Sequence, residues 1–265
     1  MQVVSGFVTA PSTTYTAWTL ASGDTLAVRN CPDNAKIHLL TMWADNQAAG
    51  FLRVRSALLH DNTIGMAAGI MASEVYPLTP ANMGQMLKPQ DLLTVEQTGS
   101  ATAGDIESGS LLLYYEDLPG ASARLARYQD IAGRIESYMY VTNTISTGTA
   151  GGYSGEEAIN AEVDQWKANR DYALLGYLNG AECCTIGWRG PDTSNLRVGG
   201  PGMETNRNLT RNWFADLSMF TGLPTIPIIN AANKAATLID ATQDENGADP
   251  IVTSIFALLS GPFQG

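Results

Sequence analysis

Two histidines, three cysteines and one acidic stretch are the residues of this chain whose types and spacing could do chemistry. His60-Asp61 follows an apolar run and could supply the base and orienting carboxylate of a hydrolase triad, in which histidine takes a proton and the acid fixes its tautomer. Sequence-adjacent His and Asp rarely face each other, however. The nearest nucleophile pattern, Gly151-Gly152-Tyr153-Ser154-Gly155, is one spacing short of a G-x-S-x-G elbow and lacks the strand that should precede it. His38 sits inside the apolar run Ile37–Trp43 and reads as a strand residue facing a neighbour. Cys183-Cys184 lacks the C-x-x-C spacing that puts two thiolates on one zinc ion. On a strand, one of its sulfurs would face inward and the other outward, and free cysteine acting as a small hydrophobe is the expectation. Between Asp240 and Asp249, the residues Asp244, Asn246 and Asp249 around Gly247 resemble part of a calcium loop, with Thr242 at its first position. The closing bidentate Glu is absent, so these three are weak calcium candidates in what reads as a solvated hairpin loop. No G-x-G-x-x-G follows a strand and no G-K-[ST] occurs. The expectation is a protein with no catalytic residue, no cofactor and no enzymatic role.

Composition narrows the function classes further. Of 265 residues, 45% are hydrophobic and only 15% charged, and the formal net charge is -11. A soluble domain ordinarily carries about 25% charged residues, so burial against other subunits is one way to cover such a surface. Four lysines stand against eleven arginines and no basic stripe occurs, which argues against direct nucleic-acid binding. An Arg-rich, Lys-poor balance suits guanidinium groups that bridge subunits, and interfaces deplete charge while enriching aromatics, Met and Arg. Three cysteines, two of them adjacent, cannot form a disulfide framework, so synthesis in a reducing cytosol is expected. Met1-Gln2-Val3-Val4-Ser5 has no charged region or long apolar core of a signal peptide, and no apolar run approaches the roughly 18 residues of a membrane helix.

The elements that must position these residues are mostly strands. Thr13 to Leu20, Thr25 to Arg29, Ile37 to Trp43, Gly50 to Leu59, Leu92 to Gln97 and Ser110 to Tyr115 are short runs bounded by Gly, Asn, Asp and Ser, as in a sandwich or barrel. Leu118-Pro119-Gly120 is the strongest break, and it divides the chain into residues 1–120 and 121–265. Beyond it, Leu125, Tyr128, Ala132, Ile135 and Met139 fall at helical spacing. Ser154 with Glu157 has the pattern of a capping box for a second helix over 155–169. Strands resume at Tyr172 to Leu178 and Cys183 to Trp188.

The two halves repeat weakly. His38-Leu39-Leu40-Thr41-Met42-Trp43 and then Phe51-Leu52-Arg53-Val54-Arg55 match Ala173-Leu174-Leu175-Gly176-Tyr177-Leu178 and then Thr185-Ile186-Gly187-Trp188-Arg189. Gly65-Met66 matches Gly202-Met203, each followed by a candidate helix, Met66 to Val75 and Leu209 to Phe220. Each half then closes on a hairpin-like pair, Leu93–Glu96 with Ser110–Tyr115 and Leu238–Ala241 with Ile255–Ser260. The offset grows by about ten residues along the chain, a modest loop insertion.

Two β-sandwich halves in tandem, each with a helix before its last strands, resemble the double jelly-roll major capsid proteins of tailless icosahedral viruses, many of which enclose a membrane. The resemblance covers nearly the whole chain and rests on architecture. It implies a mainly β fold of two tandem jelly rolls with a few short helices, at 1–120 and 121–265. It further implies a subunit that forms pseudo-hexagonal homotrimers, meets other capsid proteins and, where one is enclosed, an internal viral membrane. Such a protein is made in the host cytoplasm and resides in the virion. The chain is short for that family, so surface towers would be small or missing. Trp43, Trp188, Trp213, Arg53 and Arg189 are the expected interface or core anchors. A phage decoration, tail or carbohydrate-binding sandwich is the alternative, and a hydrolase a lesser one.

Overall fold

A computed structural model describes the chain apart from residues 22, 59–61, 74, 76, 78–83, 121–122, 147, 181–182, 203–206, 243–248 and 265. The protein is mainly β, built from antiparallel sheets. The first half contributes β1 (Gln2–Thr9), β2 (Thr16–Ala17), β3 (Thr19–Leu20), β4 (Ile37–Asp45) and β5 (Gly50–Arg55). It continues with β6 (Met66–Ile70), β7 (Gln85–Met86), β8 (Thr94–Gln97) and β9 (Ile106–Tyr115). The second half contributes β10 (Leu125–Ala126), β11 (Ile135–Thr144), β12 (Glu157–Ala158), β13 (Asp171–Asn179) and β14 (Thr185–Arg189). After these come β15 (Val198–Pro201), β16 (Ile226–Asn230), β17 (Leu238–Thr242) and β18 (Ile251–Leu259).

Strand order repeats between the halves. The first forms sheets β3-β1-β9-β4-β7 and β2-β8-β5-β6, and the second forms β10-β16-β13-β18-β11 and β12-β17-β14-β15. Reading β1, β9, β4, β7 against β11, β18, β13, β16, and β2, β8, β5, β6 against β12, β17, β14, β15, the neighbours agree throughout. Apolar side chains of both sheets meet inside each half: Val4, Leu39 and Leu111 with Leu52, Val54 and Val95 in the first, and Leu174 and Phe256 with Ile186, Trp188 and Ile239 in the second.

Register carries the repeat to single residues. The β4–β9 ladder breaks between Leu39 and Thr41, leaving Leu40 as the extra residue, and β13–β18 breaks between Leu174 and Gly176, leaving Leu175. A bulge adds one residue and re-aims the side chains after it. Leu39-Leu40-Thr41 and Leu174-Leu175-Gly176 therefore turn their strands in the same way.

Several expected elements are replaced. The helix over 121–140 shrinks to α1 (Tyr128–Ile131) and a 3-10 turn at Ala132–Arg134, after which the chain becomes β11. Aromatic and β-branched residues dominate Tyr138–Thr144, and their alternation, with Met139, Val141 and Asn143 buried while Tyr138 and Tyr140 are exposed, overrides the helical spacing. No helix forms over 155–169. Ser154 instead bridges to β17, its N–H donating to the Ala241 carbonyl at 2.7 Å and its Oγ accepting from the Ala241 N–H at 2.9 Å. Met66 begins β6 rather than a helix. Residues 25–29 hold only a bridge from Ala27 to Leu92. The hairpin-like closing pairs are not hairpins, because β8 and β9, like β17 and β18, enter different sheets. The helical expectation at 209–220 holds as α2 (Arg207–Thr210) and α3 (Trp213–Thr221), the latter ending on Gly222 at φ +71°, where a left-handed residue suits glycine.

Gly176 shows why the second bulge carries a glycine. A Cβ there would collide with the carbonyl oxygens of Thr210 and Arg211. Gly176→Ala is expected to lower stability by about 1–3 kcal/mol through overpacking. Gly133→Ala, whose Cβ meets nothing within 4 Å, should stay within about 0.5 kcal/mol. Equilibrium unfolding of the two variants checks the pair.

Candidate functional site

The most developed polar site lies on the seam between the halves. Residues directly opposite in an antiparallel ladder share a face. Ser5 opposes Ser110 and Ser110 opposes Trp43, so the three line one row across β1, β9 and β4. Met1, Val3, Leu112 and Tyr114 stand on the same face and join the apolar cluster of the second half rather than that of their own. The large sheet of the first half therefore has a core on each side.

A row of hydroxyls crosses this apolar seam. Ser5 Oγ lies 2.7 Å from Ser110 Oγ, and Ser110 Oγ lies 2.6 Å from Thr185 Oγ1 at the start of β14. The Trp43 indole N–H donates to Thr185 Oγ1 at 2.9 Å and to the Cys184 carbonyl at 3.0 Å. Backbone joins as well, the Val3 N–H donating to the Arg197 carbonyl at 2.7 Å. Buried polar groups are costly unless satisfied, and here each half satisfies the other.

A charged cluster ends the row. The Tyr153 hydroxyl bonds Ser5 Oγ at 2.9 Å and donates to Asp24 Oδ2 at 2.8 Å, and the Ser5 N–H donates to the same carboxylate oxygen at 2.7 Å. The Arg197 guanidinium lies 3.4 Å above the Tyr153 ring, within cation–π range. It pairs with Asp240 at 2.6 Å and Asp24 at 3.6 Å. Gly151, at φ +76°, lets the loop before Tyr153 lie against the Phe7 ring, where a Cβ would clash. One guanidinium thus serves two buried carboxylates. Burial raises both Asp24 and Asp240 above the usual carboxylate range despite the guanidinium. It also raises the Tyr153 phenol well above its usual value. Burial works against the Arg197 charge, but its contacts to Asp240, Tyr153 and Asp24 together outweigh it and hold the guanidinium charged. The chemistry is that of a clamp: its donors and acceptors are used between the two halves.

The expected anchors distribute unevenly over this arrangement. Trp43, fully buried, is on the seam and meets Trp213 edge-on at 6.1 Å, and the Trp213 indole donates to the Gly199 carbonyl at 3.1 Å. Trp188 lies in the second core, donating to Ser254 Oγ at 3.1 Å beside Tyr177 and Phe214. Arg53 pairs with Glu96 on the outer face of the first half, and Arg189 pairs with Glu156 at the surface. His38 is buried beside Tyr114. Cys183 and Cys184 are both buried and free, and they precede β14 rather than lying on it. Asp249 is exposed, while Asp244, Asn246, His60 and Asp61 lie outside the described residues. Among the described residues no group of three His, Cys, Asp or Glu side chains could hold a metal ion.

Sequence reasoning did not single out Ser5, Asp24, Ser110, Thr185 or Arg197, and it named Asp240 only as the start of the acidic stretch. One signal was present: Ser5 and Ser110 are hydroxyl residues inside otherwise apolar strand runs. A second surface feature is a cavity of about 400 Å³ on the outer face of β11, β18 and β13, lined by Tyr128, Tyr138, Tyr140, Arg211 and Met219 among others.

Because the folded chain raises Asp24, the native state binds its proton more tightly than the unfolded chain does. That contribution to stability is full below the ordinary value of 3.8 and is lost as pH rises through the folded value. Relative to Asp24→Asn, the wild-type protein should therefore gain stability as pH falls from neutral toward that range. Urea unfolding of both proteins across the same pH series measures the gap; a constant gap would contradict the assignment.

No protein-family model matches the chain, and no curated protein sequence does. Among solved structures it is similar to the PBSX exported protein XepA, at 10% identity, covering 96% of this chain and 86% of that one, with a TM-score of 0.22. A likeness at that level carries no argument about fold or activity.

Proposed function

We propose that the chain is a structural virion protein, the major capsid subunit of an icosahedral shell, built as two tandem jelly rolls over 1–120 and 121–265. The observation that carries this reading is the repeated strand order, eight corresponding strands per half in two facing sheets. A second support is the way the halves are joined. The large sheet of one half lies against the second half in a tight, polar-studded seam, and that join can be repeated between copies. Three chains then give six sandwiches and a pseudo-hexagonal outline, a closed homo-oligomer of the kind symmetry favours. The low charge fraction of 15% fits a subunit with much of its surface shared. Its partners are copies of itself, other capsid proteins and, in a membrane-containing particle, the enclosed bilayer. The acidic balance leaves nucleic acid without a direct contact. The virion is its location, after synthesis in the host cytoplasm.

A carbohydrate-binding or phage decoration module is the second reading, favoured by Tyr138 and Tyr140 standing exposed beside the cavity. Aromatic faces of that kind suit sugar rings.

Light scattering of the purified protein, followed by imaging, separates the two. The capsid reading expects a species of three chain masses of 28.2 kDa each, with a hexagonal outline. A clean monomer at high concentration that binds an oligosaccharide would establish the second reading instead.

A further inference from the structure

The seam has a counterpart in each half; in the second half the α2–α3 segment covers the part around Leu175, Gly176 and Ile255, and the β11 side stays exposed. In register, Ser5 and Ser110 correspond to Thr142 and Thr253, which oppose each other in β11–β18 with hydroxyls 2.9 Å apart. Ser5–Ser110 is covered by the second half, whereas the Thr142–Thr253 pair is half-buried. Met1 and Val3, 2% and 0% exposed, correspond to Tyr138 and Tyr140, which are 58% and 51% exposed. An acid stands beside each pair: Asp24 accepts from the Ser5 N–H, and Glu162 accepts from the Thr144 N–H at 2.6 Å.

The clamp itself is duplicated too. Arg53 opposes Glu96 in β5–β8 as Gly187 opposes Asp240 in β14–β17, so Glu96 corresponds to Asp240. Thr16 opposes Gln97, and Tyr153 bridges Thr242, which places Tyr15 in correspondence with Tyr153. The Arg53 guanidinium lies 3.7 Å above the Tyr15 ring and pairs with Glu96 at 2.7 Å, as Arg197 does with Tyr153 and Asp240. Gly187 lacks the side chain that Arg53 has, and Arg197 occupies that space. Two different arginines thus rebuild one Tyr–Arg–carboxylate cluster. In the second half it is docked on Ser5 and Asp24; in the first it faces outward beside Phe51, which is 51% exposed.

We infer that the outer face of β2-β8-β5-β6 of one copy docks on the exposed β11–β18 part of the matching face of a second copy, beside the α2–α3 segment, setting Tyr15 at the Thr142–Thr253 hydroxyls and Arg53 toward Glu162. The occupant of each face is a second copy of this chain, since the covered faces within the chain are the same two kinds of face already joined. The inference rests on the self-assembly reading above and adds its residues. The contact is head-to-tail, so it propagates until it closes.

The test is a pair of cysteines, Tyr15→Cys with Thr142→Cys, oxidised in the intact protein, together with Glu162→Lys. The expected result is reducible covalent dimers and trimers from the double variant and none from either single variant. Glu162→Lys is expected to weaken subunit association at least tenfold, read by light scattering. A trimer that neither cross-links nor responds to Glu162→Lys overturns this docking and leaves the capsid reading standing. Cross-links from a single variant indicate a symmetric contact and also overturn it. A wild-type monomer that does not cross-link overturns the docking and the shell together, and loss of oligosaccharide binding on Tyr140→Ala in that monomer gives the face to a sugar.

Discussion

Placing hydroxyls in an otherwise apolar sheet face is the constraint on which this molecule turns. Ser5, Ser110 and Thr185 sit where hydrocarbon would pack at less risk, and each needs the others to avoid an orphaned buried oxygen. A row of this kind tolerates little sliding between the halves, because displacement would take the Thr185 hydroxyl away from Ser110 and the Trp43 indole and leave buried polar groups unsatisfied. Apolar burial brings the halves together without strong direction. The hydroxyl row, the Trp43 indole and the Arg197 clamp then select one register.

That selection explains the different fates of similar residues. Trp43 and Trp188 are both fully buried, yet one stitches the halves and the other fills the second core. Their indole partners make the difference: Trp43 reaches Thr185 and Cys184 across the seam, while Trp188 reaches Ser254 within its own sandwich. Arg197 shows the same economy, since a glycine on one strand leaves room for an arginine arriving from the next.

The β class and the internal repeat were legible because side-chain pattern and backbone agree in the long strands. The matched Leu39-Leu40-Thr41 and Leu174-Leu175-Gly176 segments bulge at the same point. The false helices have a physical origin. Ile135 and Met139 satisfy a four-residue spacing, but Tyr138, Tyr140 and Val141 satisfy alternation over the same stretch, and only pairing with β18 decides between them. Ser154 fits a cap by type, yet its hydroxyl is taken by a strand more than eighty residues away. The seam cluster was the least legible part. Asp24, Tyr153, Arg197 and Asp240 are far apart in sequence, and nothing local marks them as partners.

The two-sided large sheet of the first half has a consequence for synthesis. Met1, Val3, Leu40, Trp43 and Leu112 belong to the apolar cluster of the second half, so their cover is translated last. Strands β1 to β9 can close their own core as soon as Tyr115 has emerged, but one face of the central sheet then waits, greasy and punctuated by the Ser5 and Ser110 hydroxyls, while the remaining residues are made. A nascent half in that condition is a natural client for chaperones and a natural partner for another nascent half. The polar row that secures the finished molecule therefore also defines its most vulnerable interval.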